Sequence, residues 1–280
     1  MLGKLTKHEL IASGRMLIPM YIALICASVV GKLFIWLSSK EAFIESVPVT
    51  FSKIVNSISS LFTVLYIIMI IVVLIATTLF ILIRFYKNYY TDEGYLMFTL
   101  PVSSKSLILS KLFSALIWTI VSAAIVLGSI ALIMNSEETQ HSFKMMWEEF
   151  MRLLERMAPE MDLSVGGLIT EGILVILVAI ISKYLMFYTA IAAGPSFSSK
   201  NKIVGSIIAY VVITILSQIV SLIMMYLLTN IMPNYIEALN QNAGQAVQST
   251  VVATGIINII FCVIFFFVTD HLMKTKTNLD

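Results

Sequence analysis

The side chains that could do chemistry at membrane depth are few: Lys32, Glu171 and Lys183 each fall inside or at the edge of an apolar run. An ionisable group near the centre of a bilayer costs ~2.5 kcal/mol or more on insertion scales, so each is a candidate functional residue on cost alone. Lys32 is about five residues from the outer end of its run, close enough to snorkel to the interface. Lys183 is about ten residues from Ala193, roughly 15 Å at 1.5 Å per residue. Snorkelling does not comfortably cover that depth. An internal pair or carbonyl contact, a place on a ligand path, or a shifted span boundary remain open for it. Glu171 lies twelve residues before Lys183, too far to pair with it within one helix. Gln218 and Asn258 are expected to bond neighbouring helices rather than a ligand.

Other reactive types form no constellation. His8, His141 and His271 are far apart, and Cys26 and Cys262 both sit in apolar runs. That set provides neither a disulfide scaffold nor the grouped ligands of a zinc site. There is no HExxH, no GxxxxGK[ST] phosphate loop and no Ser-His-Asp set at a common depth. No catalytic residue and no metal ligand is assigned, and no enzyme activity is expected of this chain.

The elements that must position these residues follow from composition. The 280 residues are 59% hydrophobic and 12% charged, with mean hydropathy +0.96, against roughly 25% charged in soluble domains. That excludes an ordinary soluble enzyme and a disordered chain. A net charge of +2 offers no field for nucleic acid. Six stretches reach or nearly reach the ~20 residues that a ~30 Å hydrocarbon layer requires: about 16–37, 61–83, 107–134, 168–193, 203–232 and 251–269. None shows the alternating pattern of barrel strands. The expectation is an all-α polytopic membrane protein, one transmembrane domain over 1–280.

Charge gives the orientation. Lys4, Lys7, Arg15, Arg84, Lys87, Lys105, Lys111, Lys200, Lys202, Lys274 and Lys276 fall on one side of the six spans. Only Lys40, Lys53, Lys144, Arg152 and Arg156 fall on the other. The positive-inside rule then puts both termini in the cytoplasm. The loop 135–167 is external on this reading. Phe143, Met146, Trp147, Phe150, Leu153, Leu154 and Met157 recur there at spacings of three and four, the mark of an amphipathic helix. The cytoplasmic segment 84–106 is aromatic-rich. Leu96, Met97, Phe98 and Leu100 form an apolar cluster between Gly94 and Pro101 that must bury against the bundle or against a soluble partner. Ser103 or Ser104 is suited to cap the third span.

At this segment the chain resembles a known family. Arg84-Phe85-Tyr86-Lys87-Asn88, Thr91-Asp92-Glu93-Gly94-Tyr95-Leu96, Thr99-Leu100-Pro101-Val102-Ser103 and Ser110-Lys111 are similar to the permease subunits of ABC-2 type bacterial transporters, in the branch found in Gram-positive bacteria. Glu9-Leu10, Gly14-Arg15 and Leu17-Ile18-Pro19-Met20-Tyr21 carry the likeness at the N-terminus. The motifs cover residues 9–21 and 84–111; elsewhere only the layout is similar.

The resemblance implies six helices in the type V exporter arrangement, both termini inside, in a bacterial cell membrane. An interfacial helix over 4–14 would use Glu9 and Arg15 at the contact with the ATPase. The coupling segment would comprise Tyr89, Tyr90, Asp92, Glu93, Gly94, Tyr95, Leu96 and Phe98, closed by Pro101. Implied partners are two copies of a P-loop ATPase, which would bind the ATP and Mg, a second permease subunit (identical or paralogous) and membrane lipid. The chain itself would carry no cofactor. Two other classes stay open: a stand-alone ion-coupled transporter, and a non-transporting immunity or sensor-complex protein. Glu148-Glu149 with Arg152 is faintly similar to the glutamate pair of intramembrane CAAX-type proteases. Its spacing is one residue short, it lies in a loop, and no later span holds a histidine.

Overall fold

The computed structural model describes residues 2–39, 49–90, 102–133, 137–161, 163–198, 200–231 and 243–275. Among them are seven helices: α1 (Leu2–Ser39), α2 (Val49–Tyr90), α3 (Ser104–Ile133), α4 (Glu137–Glu160), α5 (Val165–Phe197), α6 (Lys202–Ile231) and α7 (Ala243–Thr275). All but α4 contain a stretch long and apolar enough to cross a membrane. The chain is therefore read as a multi-pass membrane protein.

The helices outrun the apolar stretches. The segments 4–14 and 16–37, expected as two elements, lie in one helix, α1. Glu9, Gly14, Leu17, Tyr21, Leu24, Ser28 and Gly31 are all buried. From Gly14 onward they alternate steps of three and four, so one continuous stripe holds the helix in register. Pro19, which might have divided it, is exposed and costs only the bond to the Arg15 carbonyl. In the same way α2 extends well beyond 61–83 on both sides.

The described residues group into two compact units. The first comprises Gly3–Arg84 and Phe113–Trp147. Its core is Leu17, Tyr21, Leu24, Val73 and Val126, with Met69 and Trp118 packed against it. Hydroxyls stitch its helices: Tyr21 Oη to Thr77 Oγ1 at 3.1 Å, Thr77 Oγ1 to Ser122 Oγ at 3.3 Å, and Tyr66 Oη to Ser129 Oγ at 2.7 Å. Water cannot satisfy these hydroxyls inside a hydrocarbon layer, so they pair across helices or with their own carbonyls. Gly14 leaves room for the Trp118 ring, which a Cβ would meet at 3.0 Å.

The second unit comprises Phe85–Leu112 and Glu148–Asp280, with Met1–Leu2. In it α5 packs closely on α6 and on α7. Ala190, Ala193 and Ala209 form the buried centre, with Tyr210, Ile213 and Leu272 around them. The absence of long side chains lets the backbones approach, the usual solution where lipid supplies no hydrophobic drive. Thr189 and Thr269 share a hydroxyl contact of 2.9 Å between α5 and α7. Ser164 caps the start of α5 by accepting from the Gly167 N–H at 3.1 Å. Of the two candidate caps for α3, Ser103 takes the role: its carbonyl accepts from the N–H groups of Ser106 and Leu107 at 2.9 and 3.2 Å.

Helix α4 spans the stretch where the amphipathic pattern was read. Phe143, Met146, Trp147, Phe150, Leu153 and Met157 are exposed along it. Arg152 lies 3.4 Å from Glu149 and 3.8 Å from Glu148 on the helix surface. The glutamate pair of the loop is thus engaged by an arginine three and four residues on, an arrangement that suits a solvated helix face.

Candidate functional site

The last turns of α2 carry the richest set of specific contacts. They open with Arg84, in the first unit. Its Nε donates to Glu9 Oε2 at 2.7 Å. The Glu9 side chain is 7% exposed and that of Arg84 30%. A carboxylate this buried is sustained by such a charge-assisted bond. Arg15, expected to share the role of Glu9, lies on the exposed face of α1. Six residues separate the two, and 600° of helical turn places them on different faces.

From Phe85 onward α2 belongs to the second unit. The Phe85 ring stacks on Tyr188 of α5 with centroids 4.0 Å apart and planes 7° from parallel, and on Tyr89 at 6.1 Å. Tyr90, the final residue of α2, meets Tyr89 edge-on at 4.7 Å and Tyr86 at 5.0 Å. The Tyr90 hydroxyl donates to the Ile191 carbonyl of α5 at 2.5 Å. Lys202, at the start of α6, holds its Nζ 5.3 Å from the Tyr90 ring centroid, within cation–π range.

That acceptor has a cause in the sequence. In a helix the Ile191 carbonyl would take the N–H of residue 195, but that residue is proline. Pro195 has no N–H, so it leaves the Ile191 carbonyl open. A buried open carbonyl is costly unless something donates to it. Tyr90 does so, and Ser206 Oγ of α6 adds a longer contact of 3.5 Å. Nearby, Gly194 faces the Lys202 carbonyl and Ser206, while a Cβ on Gly205 would overlap the Gly194 carbonyl. Both glycines are required by close backbone approach.

Tyr89 and Tyr90 are thus brought together and fixed. Asp92, Glu93, Gly94, Tyr95, Leu96, Phe98 and Pro101, with the apolar cluster to which they belong, lie outside the described residues. The contacts of Tyr89 and Tyr90 hold the end of α2 against α5.

The in-span ionisable residues are distributed elsewhere. Glu171 Oε2 accepts from Gln248 Nε2 of α7 at 2.8 Å. Lys32 is half-buried on α1. Lys183 has neither a carboxylate nor a carbonyl partner among the described residues. Its Nζ stands 6.0 Å from the Phe187 centroid and 5.9 Å from that of Tyr210. Asn258, expected to bond a neighbouring helix, donates instead to its own Thr254 carbonyl at 2.9 Å. Gln218 is exposed.

Sequence reasoning missed Phe85 as an anchor, Tyr188, Pro195 and Lys202. Pro195 in an apolar run was the available signal: a proline there always frees a carbonyl four residues back. It also missed Asp270, 5% exposed, whose Oδ2 accepts from Lys274 Nζ at 2.7 Å. A carboxylate four residues before a lysine was legible as such a pair. Among the described residues no three His, Cys, Asp or Glu side chains gather where a metal ion could bind.

Comparison of the chain with family models, with curated proteins and with solved structures finds no match.

Proposed function

We propose that this chain is the membrane-spanning permease subunit of an ATP-driven exporter of the ABC-2 type. Six helices cross the bacterial cell membrane with both termini in the cytoplasm. Two copies of a separate P-loop ATPase, which bind ATP and Mg, dock beneath it. A second permease subunit, identical or paralogous, completes the membrane part. The observation that carries this reading is the motif between Arg84 and Lys111, similar in order and spacing to the coupling region of that family. The basic bias of the segments holding both termini supports the orientation.

Mechanistically the chain needs a stiff connection between a soluble motor and its spans. The end of α2 suits that task. Arg84 ties it to Glu9 in the N-terminal motif, and Tyr90 ties it to α5 through the carbonyl that Pro195 frees. A force delivered to the end of α2 would reach α5 through Tyr90. ATP binding would favour one arrangement of the spans by its differential affinity for the two states.

The test is co-purification of the tagged chain from native membranes in mild detergent, read by mass spectrometry. The expected result is a P-loop ATPase at about one copy per permease chain, as the two-plus-two architecture implies. Asp92→Lys with Glu93→Lys should loosen it. Recovery of the chain with no ATPase under conditions that preserve its own fold would overturn the reading.

A further inference from the structure

Lys183 is a charge that the coupling reading does not use. It lies fourteen residues before the end of α5, about 21 Å along the axis at 1.5 Å per residue. Tyr210 lies eight residues into α6, about 12 Å from its start. A snorkelling lysine stretches its stem toward the nearer interface. This one rests against two rings at depth, Phe187 and Tyr210, themselves stacked 4.9 Å apart with planes 15° from parallel. The residue is nonetheless exposed. Ile176, on its face of α5, and Ile207, on the Tyr210 face of α6, are exposed as well.

Two rings attract the ammonium but cannot accept its hydrogen bonds as an oxygen does. Among the described residues no carboxylate meets it. Among the described residues the candidate spans hold three carboxylates, Glu9, Glu171 and Asp270. Glu9 is committed to Arg84 and Asp270 to Lys274. Glu171 accepts from Gln248 and sits twelve residues away, about 18 Å in depth. An identical copy inserted in the same sense carries its Glu171 at that same depth, so that carboxylate does not neutralise Lys183 either.

We infer that Lys183, Phe187 and Tyr210 form a binding site for the acid group of an anionic amphiphile, a carboxylate or phosphate on a hydrocarbon chain. The acid oxygens accept from the Lys183 ammonium, and the tail lies along the apolar flank marked by Ile176 and Ile207. A charge-assisted bond in a water-poor setting gives the head group its selectivity. The inference rests on α5 and α6 crossing the membrane, and it stands apart from the coupling reading. Loss of the ATPase in co-purification would leave it untouched.

The experiment titrates dodecanoate, with dodecanol as the uncharged control, into the full chain purified in a neutral maltoside detergent. Thermal unfolding is the readout. Dodecanoate should raise the midpoint saturably and dodecanol should not. Lys183→Met should weaken the apparent affinity for dodecanoate by about tenfold or more, while Lys183→Arg retains most of it. Tyr210→Leu should weaken it several-fold, and it carries the test if Lys183→Met does not yield a monodisperse protein. Native mass spectrometry distinguishes the sources. An anionic phospholipid retained by the wild type and lost from the Tyr210→Leu or Lys183→Met protein marks the bilayer as supplier. Dodecanoate binding with no retained phospholipid marks a free single-chain acid. Equal responses to dodecanoate and dodecanol, or undiminished dodecanoate binding by both Lys183→Met and Tyr210→Leu, would overturn the proposal.

Discussion

In the first unit, Tyr21 reaches Thr77 at 3.1 Å and Tyr66 reaches Ser129 at 2.7 Å. In the second, Ala190, Ala193 and Ala209 bury against one another, and Gly194 and Gly205 meet almost backbone to backbone. One unit joins its helices by long side chains ending in hydroxyls. The other, although Thr189 and Thr269 also meet there, relies on small side chains that bring the backbones close. Hydroxyl bridges between membrane helices are worth only about 0.6 kcal/mol each on average. Close packing has no such graded response, since an added side chain must displace backbone. The second unit should therefore be the more brittle, and it is the unit that holds the final turn of α2 in place.

The sharpest way to break the comparison is at Gly205. Gly205→Val drives a branched side chain into the Gly194 carbonyl. We expect about 3 kcal/mol of destabilisation or failure to recover folded protein, read by thermal unfolding in detergent. A loss as small as that of a hydroxyl deletion would show that α5 and α6 yield, and the contrast would collapse.

Next comes Glu9→Ala, which leaves Arg84 without its carboxylate. Arg84 retains some solvent access at 30% exposure, so the cost should fall near 2 kcal/mol, below that of a fully buried pair. Combination with Arg84→Ala in a double-mutant cycle should recover much of the loss. Independent effects would mean the pair does not hold α1 to α2.

Tyr90→Phe is expected to cost about 1 kcal/mol, the price of one hydrogen bond to a carbonyl with no helical partner. Pro195→Ala sharpens the point, because its new N–H competes for the Ile191 carbonyl. With Pro195→Ala in place, Tyr90→Phe should cost less than it does in the wild type. Equal costs in the two backgrounds would sever the link between the proline and the tyrosine.

The smallest effect belongs to Tyr66→Phe in the first unit. Ser129 Oγ already donates to the Val126 carbonyl at 2.8 Å, so losing its second contact should cost about 0.6 kcal/mol. A value above that of Tyr90→Phe would reverse the ranking of the two units.

Some of these features were legible in the sequence. The cluster Ala190, Ala192, Ala193 and Gly194 is legible in the sequence as close helix packing, because small residues at membrane depth let backbones approach. The amphipathic stretch in 135–167 was legible from spacing alone. The continuity of α1 was not, since the resemblance implied an interfacial helix over 4–14 apart from the apolar run at 16–37. The burial of Glu9, Leu17 and Tyr21 along one helix overrode that division. The partner of Lys183 was half legible: Phe187 stands at i+4, but Tyr210 is 27 residues away on another helix.

The sequence by itself determined the solvent and the elements. A chain 59% hydrophobic with 12% charge must satisfy its backbone internally, and long apolar runs do so as helices. That constraint is local, so it can be read one segment at a time. Only the tertiary structure decided which charged and polar groups meet: Glu9 with Arg84, Glu171 with Gln248, and Tyr90 with the carbonyl opened by Pro195. Those pairings depend on the rotation and depth of each helix against its neighbours. Packing fixes both quantities, and neither is written in a span's own period.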